Sequence, residues 1–466
     1  MVLASSQFLL HLLRGVGILG LFMLLLPRVL ATAGSDCVVS PLGNGMDDTD
    51  QVEAAINQCG HFGTTTFQPG TYNITRKMTW ELQSAKVDLH GFLSFIPDVE
   101  FWLDLENTYR VVFIQSQASW FVITGSDFEI DAHNTGGVQG NGQVWWDFFT
   151  NRTREDGDGR PIAFTLNNVT NGIVRNFRVE SQPFWCNTVS HSSNVVYDGM
   201  YCNASNTNPE FFGENIVPNT DGINTYVSDN VTLLNWDITC GDDCLAIKGN
   251  STNLFVRNVT CHGGNGIAFG SLGQYANLSD IVENVHMEDL KLVRIDSDIQ
   301  PNMKNAVYFK TWSGTVNGEP PTGGGGRVHN VTVQDVVYDQ VDRPLLLTQR
   351  NGAHSNDLPS KLMFSNLTFV NWSGTFKSTT VVDLECSPAV GCDNVSFDNF
   401  TFTSLSGDDL KFVCKNVENL SGLNGTSSRG FYGSTFIQDT TLNSIARDLP
   451  GFTEIAGGRH VPLVGN

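Results

Sequence analysis

Two short glycine-bounded stretches of this chain carry three carboxylates: Asn219-Thr220-Asp221-Gly222 and Gly241-Asp242-Asp243-Cys244. A third stretch, Cys261-His262-Gly263-Gly264-Asn265-Gly266, leads into Gly270-Ser271-Leu272-Gly273. Asp221 and Asp243 stand 22 residues apart, and Asp243 and Asn265 another 22. If that step is one coil of a solenoid, equivalent side chains point the same way. Asp221, Asp243 and Asn265 then form a column, with Asp242 beside it. Glycoside hydrolysis needs such a set: a protonated carboxylic acid for the leaving oxygen, and a carboxylate that activates water or attacks carbon. Mutual repulsion and partial burial raise the pKa of one aspartate, which stays protonated while its neighbours remain ionised. Any one of these aspartates alone fits a turn or a calcium ligand. Three in register, beside glycines that open the surface, favour a site.

The elements that hold this set in place announce themselves as a repeat. Two polar residues five apart, with apolar residues between them, recur at Asn171 and Asn176, Asn230 and Asn235, Asn253 and Asn258, Asn284 and Asp289, Asn330 and Asp335, and Asn394 and Asn399. A weaker copy begins at Asn194, and the starts at 171 and 194, like those at 230 and 253, are 23 residues apart. Short strands at that period, with polar turn residues in register, predict an all-β parallel β-helix whose coils stack about 4.8 Å apart. A β-sandwich would show no fixed period. The asparagines are expected to ladder from coil to coil. Ahead of the repeat, Asp47-Asp48-Thr49-Asp50 opens a short helix with Val52, Ala55, Ile56 and Cys59 on one face, suited to capping the open end of the stack. The stretch 313–327, with Pro320-Pro321 and Gly323 to Gly326, reads as a loop beside the cleft.

Arg14 precedes an apolar run from Gly15 to Leu26, and Ala31-Thr32-Ala33 offers a small-residue cleavage site, so residues 1–33 read as a secretory signal peptide and 34–466 as one catalytic domain. The run is shorter than the roughly 20 residues of a membrane anchor. All ten cysteines follow the cleavage site, which fits an oxidising compartment. Cys386 with Cys392 would clip one loop, and Cys244 with Cys261 would tie two coils beside the carboxylates. A zinc site from Cys240, Cys244, Cys261 and His262 is disfavoured because thiols outside the cell are usually oxidised. Glycosylation sequons begin at Asn73, Asn151, Asn168, Asn203, Asn230, Asn250, Asn258, Asn277, Asn330, Asn366, Asn371, Asn394, Asn399, Asn419 and Asn424. Some of these within the repeat read equally as unmodified turn asparagines. A net charge of −21 argues against nucleic acid and anionic membranes as partners. It leaves room for an acidic polysaccharide if the cleft itself is locally positive.

Asn219-Thr220-Asp221-Gly222, Gly241-Asp242-Asp243-Cys244 and the glycine-rich segment ending Gly270-Ser271 resemble the signature of glycoside hydrolase family 28, the polygalacturonases and rhamnogalacturonases. Gly140-Asn141-Gly142-Gln143, Gln182-Pro183-Phe184-Trp185 and Lys310-Thr311-Trp312 match in order, so the resemblance covers most of the chain after residue 33. It implies a right-handed parallel β-helix and an inverting pectin hydrolase without a cofactor or metal, with Asp242 as general acid and Asp221 and Asp243 positioning water. Two departures stand out. Asn265 replaces the family histidine, with His262 displaced nearby. An asparagine cannot exchange a proton but can hold a hydroxyl or orient a carboxylate. The usual Arg-Ile-Lys segment reads Tyr308-Phe309-Lys310, which keeps the cation and loses the bidentate fork. Lys310, Asn265, His262 and Tyr308 are therefore the expected substrate-binding residues.

Gly270-Ser271-Leu272-Gly273-Gln274-Tyr275 and Lys310-Thr311-Trp312 look closest to the exo-acting fungal members. The resemblance thus implies a secreted, monomeric enzyme that removes terminal galacturonate from galacturonan, with terminal rhamnose from rhamnogalacturonan as the alternative. A non-catalytic pectin-binding protein is the rival from another class, favoured by Asn265. A calcium-dependent lyase needs a basic proton abstractor, and residues 219–256 contain no arginine. Trp145, Trp146, Trp185 and Trp312 are candidate sugar platforms, although such residues are as often core.

Overall fold

The computed structural model describes residues 34–112, 114–150, 152, 158–315, 323–352, 356–423 and 435–439. The expected signal peptide, the sequons at Asn151 and Asn424, and residues 316–322 of the expected loop lie outside them. The architecture is a parallel β-helix, as the repeat predicts. The coil at Ser193–Asp198, Tyr201–Asn203 and Ile223–Tyr226 supplies three strands, and the coils from Ser228 onward supply two, because a long strand such as Ser228–Thr239 runs through a corner; each strand pairs in parallel with its equivalents in the coils before and after. In one stack Val174, Tyr197, Leu233, Val256, Met287 and Val333 are successive partners in register. All six are buried, and they form one inward-facing row.

The five-spaced polar residues turn out to be the corners at the two ends of this strand. Their φ values lie between 50° and 57°, in the left-handed region that asparagine and aspartate enter more readily than other side chains. Their amides also ladder along the stack: Asn194 donates to Asn171 over 2.9 Å, Asn230 to Asn194 over 2.8 Å and Asn330 to Asn284 over 2.8 Å. One residue type thus meets two demands at each corner.

Inside, aromatic rings stack from coil to coil, as with Phe269 over Phe309 at 4.4 Å and Phe369 over Phe397 at 5.1 Å between centroids. Each fully buried ring of this size contributes about 1.5–3 kcal/mol. Trp145 and Trp146, on the helix Gly142–Phe149, belong to this core and are not platforms for a sugar. The helix Thr49–Cys59 packs Val52, Ala55, Ile56 and Cys59 against the first coil, and Cys59 is bonded to Cys37. Asp47 accepts from the Thr49 amide at 2.9 Å, while Asp48 turns away to take the amides of Leu42 and Asn73.

The stack that matters for function runs through Asn187–Ser190, Ile223–Tyr226, Asp243–Ile247, Gly266–Leu272, Asn305–Trp312 and Arg343–Asn351. It continues through Thr380–Glu385 and Lys411–Lys415.

Candidate active site

Asp221 stands just before one strand of that stack, and Asp243 opens the next. Ile223 pairs with Leu245, which sets Asp221 level with Asp243. The expected third member of the column is displaced. Asp243 pairs with Gly266 across a bulge, so Asn265 falls level with Asp242. Its side-chain amide donates to Asp242 Oδ1 over 2.8 Å. Gly264 makes the approach possible: its φ is +84°, and a Cβ there would come within 2.3 Å of the Asp242 carbonyl oxygen.

The three aspartates occupy different environments. Asp221 is buried, with Oδ2 accepting from Asn224 at 3.1 Å and Oδ1 unpartnered among the described residues. Burial pushes its carboxyl well above the usual range, and repulsion from Asp242 and Asp243 adds to this, partly offset by Lys248 and Lys310. Asp242 is half-buried, and its Oδ2 accepts from the backbone and side-chain amides of Asn219 at 3.2 and 3.3 Å. Its pKa is also raised, by burial and then by Asp243, against the pull of Lys310 and the Asn219 amide. Asp243 has two partners: Lys310 Nζ lies 2.9 Å from Oδ2, and the Tyr308 hydroxyl donates to Oδ1.

Tyr308 and Lys310 reach Asp243 from two coils away. In register beneath the Tyr308 ring lie Ala246 and Ala268, whose methyls leave the ring room to lie across two strands. Burial works against the Lys310 charge, but the surrounding carboxylates outweigh it, and the ammonium is held above its ordinary range.

A cavity of about 60 Å³ opens over the carboxylates, lined by Asp221, Asp242, Asp243, Lys310, Lys248 and Trp185 among others. Lys248 and several neighbours were not singled out in the sequence. Lys248 is buried, with Nζ 5.2 Å from the Trp185 ring centroid. The signal for it was a lysine ending the apolar run Leu245-Ala246-Ile247. Arg160 is buried, ion-paired with Asp158 at 2.8 Å, and donates to Asn219 Oδ1 at 2.9 Å. That contact fixes the Asn219 amide so that Nδ2 faces Asp242. Gln117 arrives on a separate small sheet of Tyr109–Val112, Gln117–Ser119 and Pro161–Ile162, and Gln115 on the turn Ile114–Ser116 just before it. The Tyr275 hydroxyl accepts from the Gln115 amide at 2.7 Å.

His262 does not join the site. Cys261 faces the core, so the next residue faces out, and the His262 ring lies 3.4 Å from Asp237 on the preceding coil of its own strand stack. Tyr308 supports Asp243 from below and does not line the cavity, and neither Asn265 nor Trp312 lines it. Cys244 is bonded to Cys261 and Cys386 to Cys392, as expected, and Cys186 to Cys202 in addition. Cys240 and Cys414 are free and buried. Among the described residues no three His, Cys, Asp or Glu side chains are arranged to hold a metal ion.

The family model for glycosyl hydrolases family 28 matches residues 78–427. A protein of Aspergillus flavus, "Putative galacturan 1,4-alpha-galacturonidase A", is 37% identical over 90% of this chain and 98% of its own length. An Aspergillus niger protein, "Alpha-L-rhamnosidase rgxB", is 30% identical over 84% of this chain and 89% of its own. Among solved structures, the endo-xylogalacturonan hydrolase of Aspergillus tubingensis superposes with a TM-score of 0.68 at 23% identity, over 87% of this chain and all of that one.

Proposed function

The chain belongs to glycosyl hydrolases family 28, and from that premise we propose that it removes terminal galacturonate from galacturonan chains outside the cell, with inversion at the anomeric carbon. Asp242 donates a proton to the leaving oxygen, and Asp221 and Asp243 hold and activate the attacking water. The observation that carries this reading is the division of labour among three carboxylates in one cavity. Two are pushed up by burial and mutual repulsion, and the third is ion-paired to a half-buried lysine.

Asp221 and Asp242 repel one another, so a single proton belongs to the pair. Burial favours that proton on Asp221, and the proposed reaction draws on the state that carries it on Asp242, with Asp221 ionised to take a proton from water. Arg160, Asn219 and Asn265 orient Asp242 and handle no proton themselves. Lys310 and Lys248 put two cations beside the carboxylates, which suits a substrate that carries a carboxylate of its own. The name of the Aspergillus flavus relative supports the same sugar.

Terminal rhamnose is the second reading. It is favoured by the missing guanidinium beside Lys310 and by the name of the Aspergillus niger relative. Incubation with galacturonan oligomers and, separately, with rhamnogalacturonan oligomers decides between them. Release of free galacturonate from the first, abolished by Asp242→Asn, is expected. Rhamnose from the second would replace this reading, and binding without any product would remove the catalytic one.

A further inference from the structure

A second and larger cavity, about 310 Å³, lies along the same stack of strands, from Ser313 just past Lys310 across the next three coils to Lys415 and Asn416. Lys310 pairs with Thr348, Thr348 with Glu385, and Glu385 with Lys415. Three steps of roughly 4.8 Å set Lys415 about 14 Å along the stack from Lys310, on the same outward face. The cavity sits where these strands end, walled by Ser313, Gln349, Ser387 and Asn416 with Arg350 and Lys415 among its other residues.

Its walls are built and polar. Gln349 donates to the Leu362 carbonyl and accepts from the Ser387 amide, both at 2.7 Å, and the Ser387 hydroxyl donates to the Ser360 carbonyl at 2.7 Å. Asn416 Nδ2 is spent on the Cys386 carbonyl at 2.9 Å. Two oxygens remain: Ser313 Oγ and Asn416 Oδ1 are buried without a hydrogen-bond partner among the described residues, and these side chains are 2% and 9% exposed. A buried oxygen left without a donor is destabilising, and a ligand hydroxyl would satisfy each. Lys415 is ion-paired to Glu385 at 2.6 Å, and Arg350 is exposed beside it. Asp357 and Glu385 line the cavity too, so its charges balance overall; it offers hydroxyl partners in its depth and one exposed cation, Arg350, at its rim.

We propose that this cavity binds a further acidic sugar unit of the same polymer, several residues from the bond that is cleaved. The proposal rests on the pectic reading of the carboxylate site, and it assigns the grip on long chains to residues remote from the chemistry.

The test compares kcat/KM for a galacturonate dimer, too short to reach both places, with that for a long oligomer. In Arg350→Glu the long-to-short ratio falls by roughly fivefold, the scale of an exposed charge contact. Ser313→Phe, which fills the cavity, lowers the ratio likewise. Because Arg350 is exposed, its variant folds as the parent does, and an unchanged ratio in it overturns the proposal. If the parent chain hydrolyses neither oligomer, the reading of the reaction has failed separately, and calorimetric titration with the long oligomer judges the cavity. Affinity weaker by about fivefold in Arg350→Glu supports it. Equal affinity, or no binding to the parent, overturns it.

Discussion

The Asn265 side-chain amide donates to Asp242 Oδ1 over 2.8 Å, at the position where the family signature has a histidine. An amide carries no titratable proton near neutrality, so this contact orients the carboxyl and favours its charged form. Asn265→Ala removes both effects. The Asp242 pKa then rises, and the alkaline limb of the kcat profile moves to higher pH. Meanwhile kcat falls about tenfold, because the carboxyl is less well positioned. A profile of initial rates against pH checks this. A fall in rate with no movement of the limb would mean that Asn265 only positions.

Asp243 acts on Asp242 in the opposite sense. After burial itself, the charge on Asp243 is the main influence holding the Asp242 carboxyl up. Asp243→Asn is therefore expected to move the alkaline limb to lower pH, opposite to Asn265→Ala, while cutting kcat by roughly 10²–10⁴ through loss of a water-activating group. Residual activity in the variant is enough to place the limb. Movement upward would show that Lys310, freed from its partner, does not dominate the site as its 2.9 Å contact implies.

Stability should carry the opposite cost of the same arrangement. Asp221 and Asp242 have folded pKa values above the unfolded value of about 3.9. A raised carboxyl contributes stability that is fully present below the unfolded pKa and lost as pH rises through the folded one. At neutral pH the parent thus holds repelling buried carboxylates together. Asp221→Asn relieves that repulsion and is expected to raise Tm at neutral pH by roughly 2 °C or more, with little gain at acidic pH. Calorimetry of both proteins across pH measures the difference. An equal shift at every pH would point to packing in place of ionisation.

The fold was legible because one constraint repeats. Every coil needs left-handed corners, asparagine supplies them, and the corners recur at fixed offsets such as Asn171 and Asn176. The carboxylates were legible for the same reason, since Asp221 and Asp243 occupy equivalent corners of consecutive coils. A single bulge at Asp243 defeated the third step, because a spacing of 22 residues does not reveal a one-residue slip in register. Arg160 and Gln115 lay beyond reach for another reason. Their partners are 59 and 160 residues away, on segments that follow no repeat. The outward turn of His262 was readable from parity alone, because its neighbour Cys261 belongs to the core.

The asparagine ladder bears on where glycans sit. A glycan attaches at Nδ2, the atom through which Asn230, Asn330 and Asn394 each donate to the coil before at 2.7–2.8 Å, as do Asn258 and Asn399 in the second row at 2.6 and 2.8 Å. A sugar on that nitrogen has to share space with a coil about 4.8 Å away and removes one of its two hydrogens. Asn168 and Asn277 differ: both are exposed, and among the described residues neither donates from Nδ2. If the chain is secreted as proposed, glycans are expected at Asn168 and Asn277 and the ladder asparagines are expected to be bare. Enzymatic deglycosylation in heavy-oxygen water, followed by peptide mass mapping, marks each occupied asparagine as a labelled aspartate. Label at Asn230 or Asn330 would show that the ladder tolerates a sugar on its donor atom, and the geometric argument would then fail for the whole row.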